Sequence, residues 1–257
     1  MNYIYGLQSD VGITKDTNQD AVAVKTVDTG FGKVVFAIVC DGMGGYEKGE
    51  VASASMTNAM IKWFDNDFPS LGEDFTFEDI TNQWNYIIQS MNEKIISYGR
   101  INCPKTGLGT TLSMILIMKN KFFVGHIGDS RIYKIFNNRV VQLTEDHTLV
   151  VQKIARGEIS EDELETDDER NVLTQCIGKL RRISPQFKYG TVENDNMFLL
   201  CSDGFRHEIT KDEMLNTFNP ENNNSSNDIQ VNIARLIERA EQRKEEDNIT
   251  AAVIKIC

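Results

Sequence analysis

Six short apolar runs dominate the hydropathy pattern. Residues 34–39 are continuously β-branched or aromatic, as expected of a strand buried on both faces. Residues 112–118 and 197–201 read the same way. Residues 121–127 and 131–136 form two more runs, split by the turn-like Gly128-Asp129-Ser130, and 249–256 is a further strand near the end of the sequence. Helical spacing appears in three places. Phe77, Ile80, Trp84, Ile87, Ile88, Met91 and Ile95 share one face, and so do Ile229, Ile233, Leu236, Ile237 and Ala240. Residues 50–64 form the third helix, alanine-rich at its start. The strands come in clusters with short connections and the helices in separate blocks. That order predicts antiparallel sheets covered by helices rather than a doubly wound parallel sheet.

No repeat or linker divides the chain, so residues 1–257 are read as one domain. The low-complexity patch at 221–227 reads as a surface loop before a helix, with Asn227 or Asp228 as its N-cap. Residues 148–170 stand apart as a polar, acidic segment. It is either a solvated helical insertion or a flap beside an active site.

Charge removes some functions. The net charge is −11, which disfavours a nucleic-acid partner. For a phosphorylated substrate, local positive charge or bound metal must offset that field. Five cysteines without a Cys-x-x-Cys pair argue against a disulfide framework or zinc site and for free thiols in a reducing cytoplasm. The N-terminus lacks a signal-peptide pattern, and no apolar run reaches the ~20 residues of a membrane span, so no membrane association is expected.

The candidate chemistry lies in aspartates at strand ends. Asp41 follows the 34–39 run, Asp203 follows 197–201, Asp247 precedes the last strand, and Asp129 separates two strands. Any one alone is a common turn or cap residue. Together they form an all-oxygen ligand set of the kind that suits Mg²⁺ or Mn²⁺. Two such ions polarise a phosphoryl group and acidify a bridging water, which removes the need for a Ser or Cys nucleophile. Gly42 leaves its carbonyl accessible to such an ion.

The motifs resemble those of the PPM family, the type 2C metal-dependent serine/threonine protein phosphatases, in its bacterial form. Eight stretches carry the likeness in order. Ser9-Asp10-Val11-Gly12 with Asn18-Gln19-Asp20 opens it. Cys40-Asp41-Gly42-Met43-Gly44-Gly45, with Gly49-Glu50-Val51-Ala52-Ser53, is the most specific. Gly109-Thr110-Thr111-Leu112 and Gly125-His126-Ile127-Gly128-Asp129-Ser130-Arg131-Ile132-Tyr133 follow. Then come Leu143-Thr144-Glu145-Asp146-His147 and Asn171-Val172-Leu173-Thr174-Gln175-Cys176-Ile177-Gly178. Ser202-Asp203-Gly204 and Asp247-Asn248-Ile249-Thr250 complete the series.

The resemblance implies an α+β fold, a four-layer αββα sandwich of two antiparallel sheets flanked by helices, with a flap at about 148–170. It implies two catalytic Mn²⁺ or Mg²⁺ ions and a labile third. Asp41 would bridge the pair, Gly42 would ligate through its carbonyl, and Asp203 and Asp247 would hold the other ion. Asp129 would serve the third, and Asp20 would hydrogen-bond metal waters. The implied partners are phosphorylated proteins in a serine/threonine kinase pathway, acted on by a cytoplasmic monomer.

Three departures mark this chain. Lys15 stands where the family carries a phosphate-gripping arginine, exchanging a two-pronged contact for a point charge. Gln19 replaces a glutamate, and Tyr46 replaces a histidine. His126, lying mid-strand, reads as a packing residue and His147 as a cap of the flap helix. His207 takes a place where relatives carry an acidic residue near the third ion. None is assigned as general acid. Two alternatives remain at this stage: a catalytically silent phosphopeptide-binding module, and a phosphatase of an anti-anti-sigma-type regulator.

Overall fold

A computed structural model describes residues 1–43, 48–72, 75–164 and 166–257. Gly44, Gly45 and Tyr46 of the Asp41 motif, and Glu165 of the acidic segment, lie outside the described residues.

Two five-stranded antiparallel sheets pack face to face. One has the order β1 (Tyr3–Asp10), β12 (Ile249–Ile256), β11 (Met197–Cys201), β8 (Arg131–Phe136), β9 (Arg139–Gln142). The other runs β10 (Gln186–Thr191), β7 (Lys121–Ile127), β6 (Leu112–Met118), β3 (Gly32–Cys40), β2 (Ala21–Thr29). A two-residue pair, β4 (Gly42–Met43) with β5 (Gly109–Thr110), links the chain after Asp41 to the start of β6. The predicted antiparallel sheets and the αββα layering are both observed.

The period of two along a strand sorts side chains into three cores. On β3, Val34, Phe36, Ile38 and Cys40 face α1 (Gly49–Lys62) and α2 (Phe77–Asn102), while Val35, Ala37 and Val39 face the other sheet. On β12, Ala252, Ile254 and Ile256 enter the same inter-sheet core. Ile249, Ala251 and Val253 enter a third core beneath α4 (Asp203–Glu208), α5 (Lys211–Thr217) and α6 (Ser226–Gln242). Such strands carry no polar alternation because both faces are covered.

The six strands read from sequence are the six interior ones. Of the ten strands in these two sheets, the four not read, β1, β2, β9 and β10, are the edges.

The helices start where local chemistry satisfies their first N–H groups. Thr76 and Asp79 form a reciprocal capping box at the head of α2. At α6 the expected cap is corrected. Ser225, not Asn227 or Asp228, is the N-cap, its hydroxyl accepting from Asp228 N at 3.1 Å. Asp228 instead turns its carboxylate back onto Asn224 N at 3.0 Å, as a third-position acid does.

The acidic segment is partly helical. It contains α3 (Leu149–Ala155) and a 3₁₀ turn at Glu161–Glu163, and Lys153 pairs with Asp167 and Glu169 at 2.9 and 2.6 Å. Its base is closed by the Thr148–Leu173 bridge. Thr148 is the residue at the head of α3, with no side-chain cap bond. His147 therefore does not cap the flap helix; its Nδ1 accepts from Gly128 N at 3.1 Å and so backs the Asp129 turn.

Candidate metal centre

Each aspartate sits at the end of a strand or beside one. Asp41 leaves β3, Asp20 precedes β2, Asp129 occupies the β7–β8 turn, Asp203 opens α4 after β11, and Asp247 precedes β12. A cavity of about 420 Å³ brings Asp41, Gly42, Asp129, Asp203 and Asp247 together with Lys15. Asp20 lies behind this ring, close enough for its charge to act on Asp41.

The backbone at Asp41 is held from both sides. Its N–H donates to Thr111 Oγ1 at 2.9 Å, and its carbonyl accepts from Thr111 N and Thr110 Oγ1, each at 2.9 Å. This explains the Gly109-Thr110-Thr111 motif, since the threonines fix the aspartate. Gly42 is there for lack of space: a Cβ would meet Gln19 O at 2.3 Å and Gly49 O at 2.5 Å. On the other side, Asn248 staples the loop that carries Lys15. Its Oδ1 accepts from Gln19 N at 2.8 Å, and its Nδ2 donates to Val11 O and Thr17 O at 2.9 and 3.2 Å.

Like charges crowd this ring. Burial, then the charges of Asp203, Asp20, Asp129 and Asp247, push the Asp41 carboxyl well above the usual carboxylate range. Burial first, with Asp203 and Asp247 adding, brings Asp20 up to about 7, although the Ser202 and Thr250 hydroxyls oppose the shift. Asp129 also rises to about 7 through burial and Asp203, with Arg206 opposing. Asp20 Oδ2 and Asp203 Oδ1 are buried with no hydrogen-bond partner among the described residues. Orphaned carboxylate oxygens and mutual repulsion both call for cations, and an all-oxygen donor set fits Mg²⁺ or Mn²⁺. No three acidic, histidine or cysteine groups among the described residues close into a tight cage. The aspartates instead line an open cavity, the arrangement suited to ions that keep most of their waters.

The histidines divide. His126 is fully buried, bonded to Ser113 Oγ at 2.9 Å and Glu145 O at 3.1 Å, and burial brings it down to about 3. It is a packing residue. Burial also lowers His147. His207 differs: burial alone would lower it, but the Glu245 carboxylate at 3.4 Å and the Asp203 charge outweigh that and hold it raised. It lines an adjoining cavity of about 780 Å³ with Lys15, Asp247 and Arg170, at the end of the acidic segment.

Arg206, which the sequence reading passed over, belongs here. It lies 3.6 Å from Asp129 and 3.8 Å from Asp146, and Arg131 holds Asp146 from the other side at 2.6 Å. Its signal was a cation three residues after Asp203, on the same side of a helix. Lys179, just past the Gly178 motif, also lines the aspartate cavity and was not anticipated.

Strand-end carboxylates around one cavity, between two antiparallel sheets clad in helices, define a metal-dependent phosphohydrolase. The protein phosphatase 2C profile matches residues 13–248, and the chain belongs to that family. Protein phosphatase PhpP of Streptococcus pneumoniae is 32% identical over 209 residues, covering 81% of each chain. The serine/threonine phosphatase of S. agalactiae superposes with a TM-score of 0.85 at 26% identity, over 100% of both chains. The catalytic domain of the serine/threonine phosphatase PstP, solved with 2 manganese ions, gives a TM-score of 0.78 at 25% identity over 98% of this chain and 97% of its own.

Proposed function

We propose that this chain hydrolyses phosphoserine and phosphothreonine in proteins, as one catalytic domain across residues 1–257. The observation that carries the reading is the convergence of Asp41, Asp129, Asp203 and Asp247 on one cavity with Lys15 at its rim. Asp41 would bridge two cations, the Gly42 carbonyl would ligate one, and Asp203 and Asp247 would hold the other. Asp129 would serve a labile third, and Asp20 would hydrogen-bond the surrounding waters. Such ions supply Lewis-acid polarisation of the phosphate and a water acidic enough to attack it.

The chain's own groups do the rest. Lys15 binds the substrate phosphate as a point charge. The Thr110, Thr111 and Asn248 bonds keep the Asp41 backbone and the Lys15 loop at fixed positions, so little reorganisation is left to the reaction. The segment at 148–170, read as a flap, brings Arg170 to the lining of the adjoining cavity, where a protein substrate would lie. The ions are Mn²⁺ or Mg²⁺; manganese in PstP supports the former. The substrates are phosphoproteins of a serine/threonine kinase pathway, met by a monomer in the cytoplasm. No helix among the described residues is long and apolar enough to cross a membrane.

The test is hydrolysis of para-nitrophenyl phosphate and of a phosphothreonine peptide, with Mn²⁺, with Mg²⁺ and after chelation. Metal-dependent turnover in the wild type, lost in Asp41→Asn and Asp203→Asn, is expected. Absence of metal-stimulated turnover in the wild type would reject the reading.

A further inference from the structure

A chain of net charge −11 must bring an anionic substrate to a ring of carboxylates. Lys15 alone is a weak counterweight, because it is already paired with Asp247. One local excess of positive charge lies elsewhere in the sequence. From Asn171 through Val192 there is no acidic residue, while Lys179, Arg181, Arg182 and Lys188 all fall within that stretch. Lys179 lines the aspartate cavity and also a second groove of about 400 Å³. Arg100, at the end of α2, and Arg181 flank that groove. Arg100, Lys179, Arg181 and Arg182 are exposed, and none lies within ion-pair distance of a carboxylate among the described residues.

The segment that carries these cations is held rigidly. Asn92 is buried among the apolar residues of α2, an expensive place for an amide unless both ends are bonded. Its Oδ1 accepts from Gly178 N at 2.7 Å, and its Nδ2 donates to Leu180 O at 2.8 Å. One turn earlier, Gln89 Nε2 donates to Ile183 O at 3.0 Å. Gly178 has φ +97°, and a Cβ there would meet Ile95 Cγ2 at 2.4 Å and Leu108 O at 2.7 Å. The Ile177–Thr110 bridge then ties the segment to the strand pair beside Asp41. The backbone that carries Lys179, Arg181 and Arg182 is therefore held in place relative to the aspartate cavity.

We propose that the Arg100–Lys179–Arg181 groove is a substrate subsite that binds Asp and Glu side chains flanking the phosphorylated residue. The inference rests on the phosphatase reading above and names the substrates it favours. Guanidinium forks match carboxylates in two-pronged contacts, and Lys179 lines both the groove and the aspartate cavity. An extended segment with its phosphate at the aspartates and its acidic flank in the groove would place negative charge where the fold has left cations unpaired.

The experiment compares phosphothreonine peptides on the full chain with Mn²⁺. One carries Glu residues on both sides of the phosphothreonine, and its partner carries Gln at the same positions. Para-nitrophenyl phosphate, too small to reach the groove, is the control. The wild type is expected to favour the Glu peptide in kcat/KM by about 5- to 10-fold, the sum of two or three exposed pairs. The preference should vanish near about 1 M salt, where screening is nearly complete over ~3 Å. Arg100→Glu with Arg181→Glu should abolish or invert it and leave para-nitrophenyl phosphate turnover unchanged. The milder Arg181→Gln with Arg182→Gln should reduce it. Equal turnover of the two peptides by the wild type, or a preference that survives charge reversal, overturns the subsite. A larger groove-dependent gain from a second phosphate in place of the Glu residues overturns the carboxylate assignment. If para-nitrophenyl phosphate itself is not hydrolysed, the phosphatase reading fails instead.

Discussion

Lys15 Nζ lies 3.1 Å from Asp247 Oδ1, with both side chains nearly half exposed at the mouth of the aspartate cavity. The same oxygen accepts from Asn248 N at 2.8 Å. Burial would lower the lysine, but Asp247, then Asp203 and Asp41, outweigh it and keep the ammonium charged. On the proposed function, a cation at Asp247 would compete with Lys15 and free the ammonium for phosphate. Metal loading and substrate grip would then be coupled through one carboxylate.

Lys15→Ala should therefore move two quantities in opposite directions. The KM for a phosphopeptide should rise about tenfold, from loss of a partly screened charge-assisted contact. Mn²⁺ affinity measured by calorimetry should increase, because a competing cation is gone. Lys15→Arg should lower KM by restoring the two-pronged contact. An unchanged KM in Lys15→Ala would remove the lysine from phosphate binding.

Asp41→Asn should cost at least about 10³-fold in metal-dependent turnover. The metal-free protein should become more stable by about 1–3 kcal/mol, since a carboxylate crowded by Asp203, Asp20, Asp129 and Asp247 is neutralised. Urea unfolding in the presence of a chelator reads this directly. Equal or lower stability would mean that Asp41 is not repelled by its neighbours.

The same crowding fixes a pH dependence. Asp20 and Asp129 stand near 7 in the fold against an ordinary 3.8. Between those values the folded state binds more protons than the unfolded one, so these groups make stability fall as pH rises through that window. The metal-free protein should melt at a higher temperature near about pH 5.5 than near about pH 8. Saturating Mn²⁺ should shrink or reverse the difference. A metal-free melting temperature that rises across that window would contradict the shifts.

Gln19 sits against Gly42 and Gly49. With its amide oriented to satisfy both groups, Nε2 donates to Gly42 O at 3.0 Å and Oε1 accepts from Gly49 N at 3.2 Å. Glutamate can keep the second bond but not the first. Gln19→Glu should lower the metal-free melting temperature by a few degrees through the lost bond. It should raise Mn²⁺ affinity by about 3- to 10-fold through the added charge and the released carbonyl. Unchanged affinity in a calorimetric titration would show that the Gly42 carbonyl does not bind the ion.

What could be read from sequence follows from how each part is stabilised. The interior strands are coated on both faces, so β3 reads as an unbroken apolar run and β12 nearly so. An edge strand such as β2 is half covered along its length, and neither alternation nor a run emerges. Asp41, Asp129, Asp203 and Asp247 are legible because each ends or precedes a visible strand; Asp20 precedes the unread β2 and is reached only through the resemblance of its motif. Arg206 and Asn92 are not legible, because their roles exist only in tertiary contact. Asn92 appeared as one polar interruption of an apolar helix face, and its two backbone partners lie more than 80 positions away.

Arg206 offers the sharpest test of the buried charge network. Its side chain is 6% exposed, its Nε donates to the Asp129 carbonyl at 3.4 Å, and its guanidinium stands between the Asp129 and Asp146 carboxylates. Arg131 continues to hold Asp146 if Arg206 is removed, but Asp129 loses its nearest cation. Arg206→Met should cost about 3 kcal/mol at neutral pH, in the range for breaking a buried pair from one side. The loss should shrink as pH falls, because protonation neutralises the stranded Asp129. Adding Asp129→Asn to Arg206→Met should recover much of it, since the double change removes both charges. If the double variant is as unstable as the sum of the two single ones, the Asp129 carboxylate and Arg206 do not interact, and Arg206 stabilises the fold through Asp146 and packing instead.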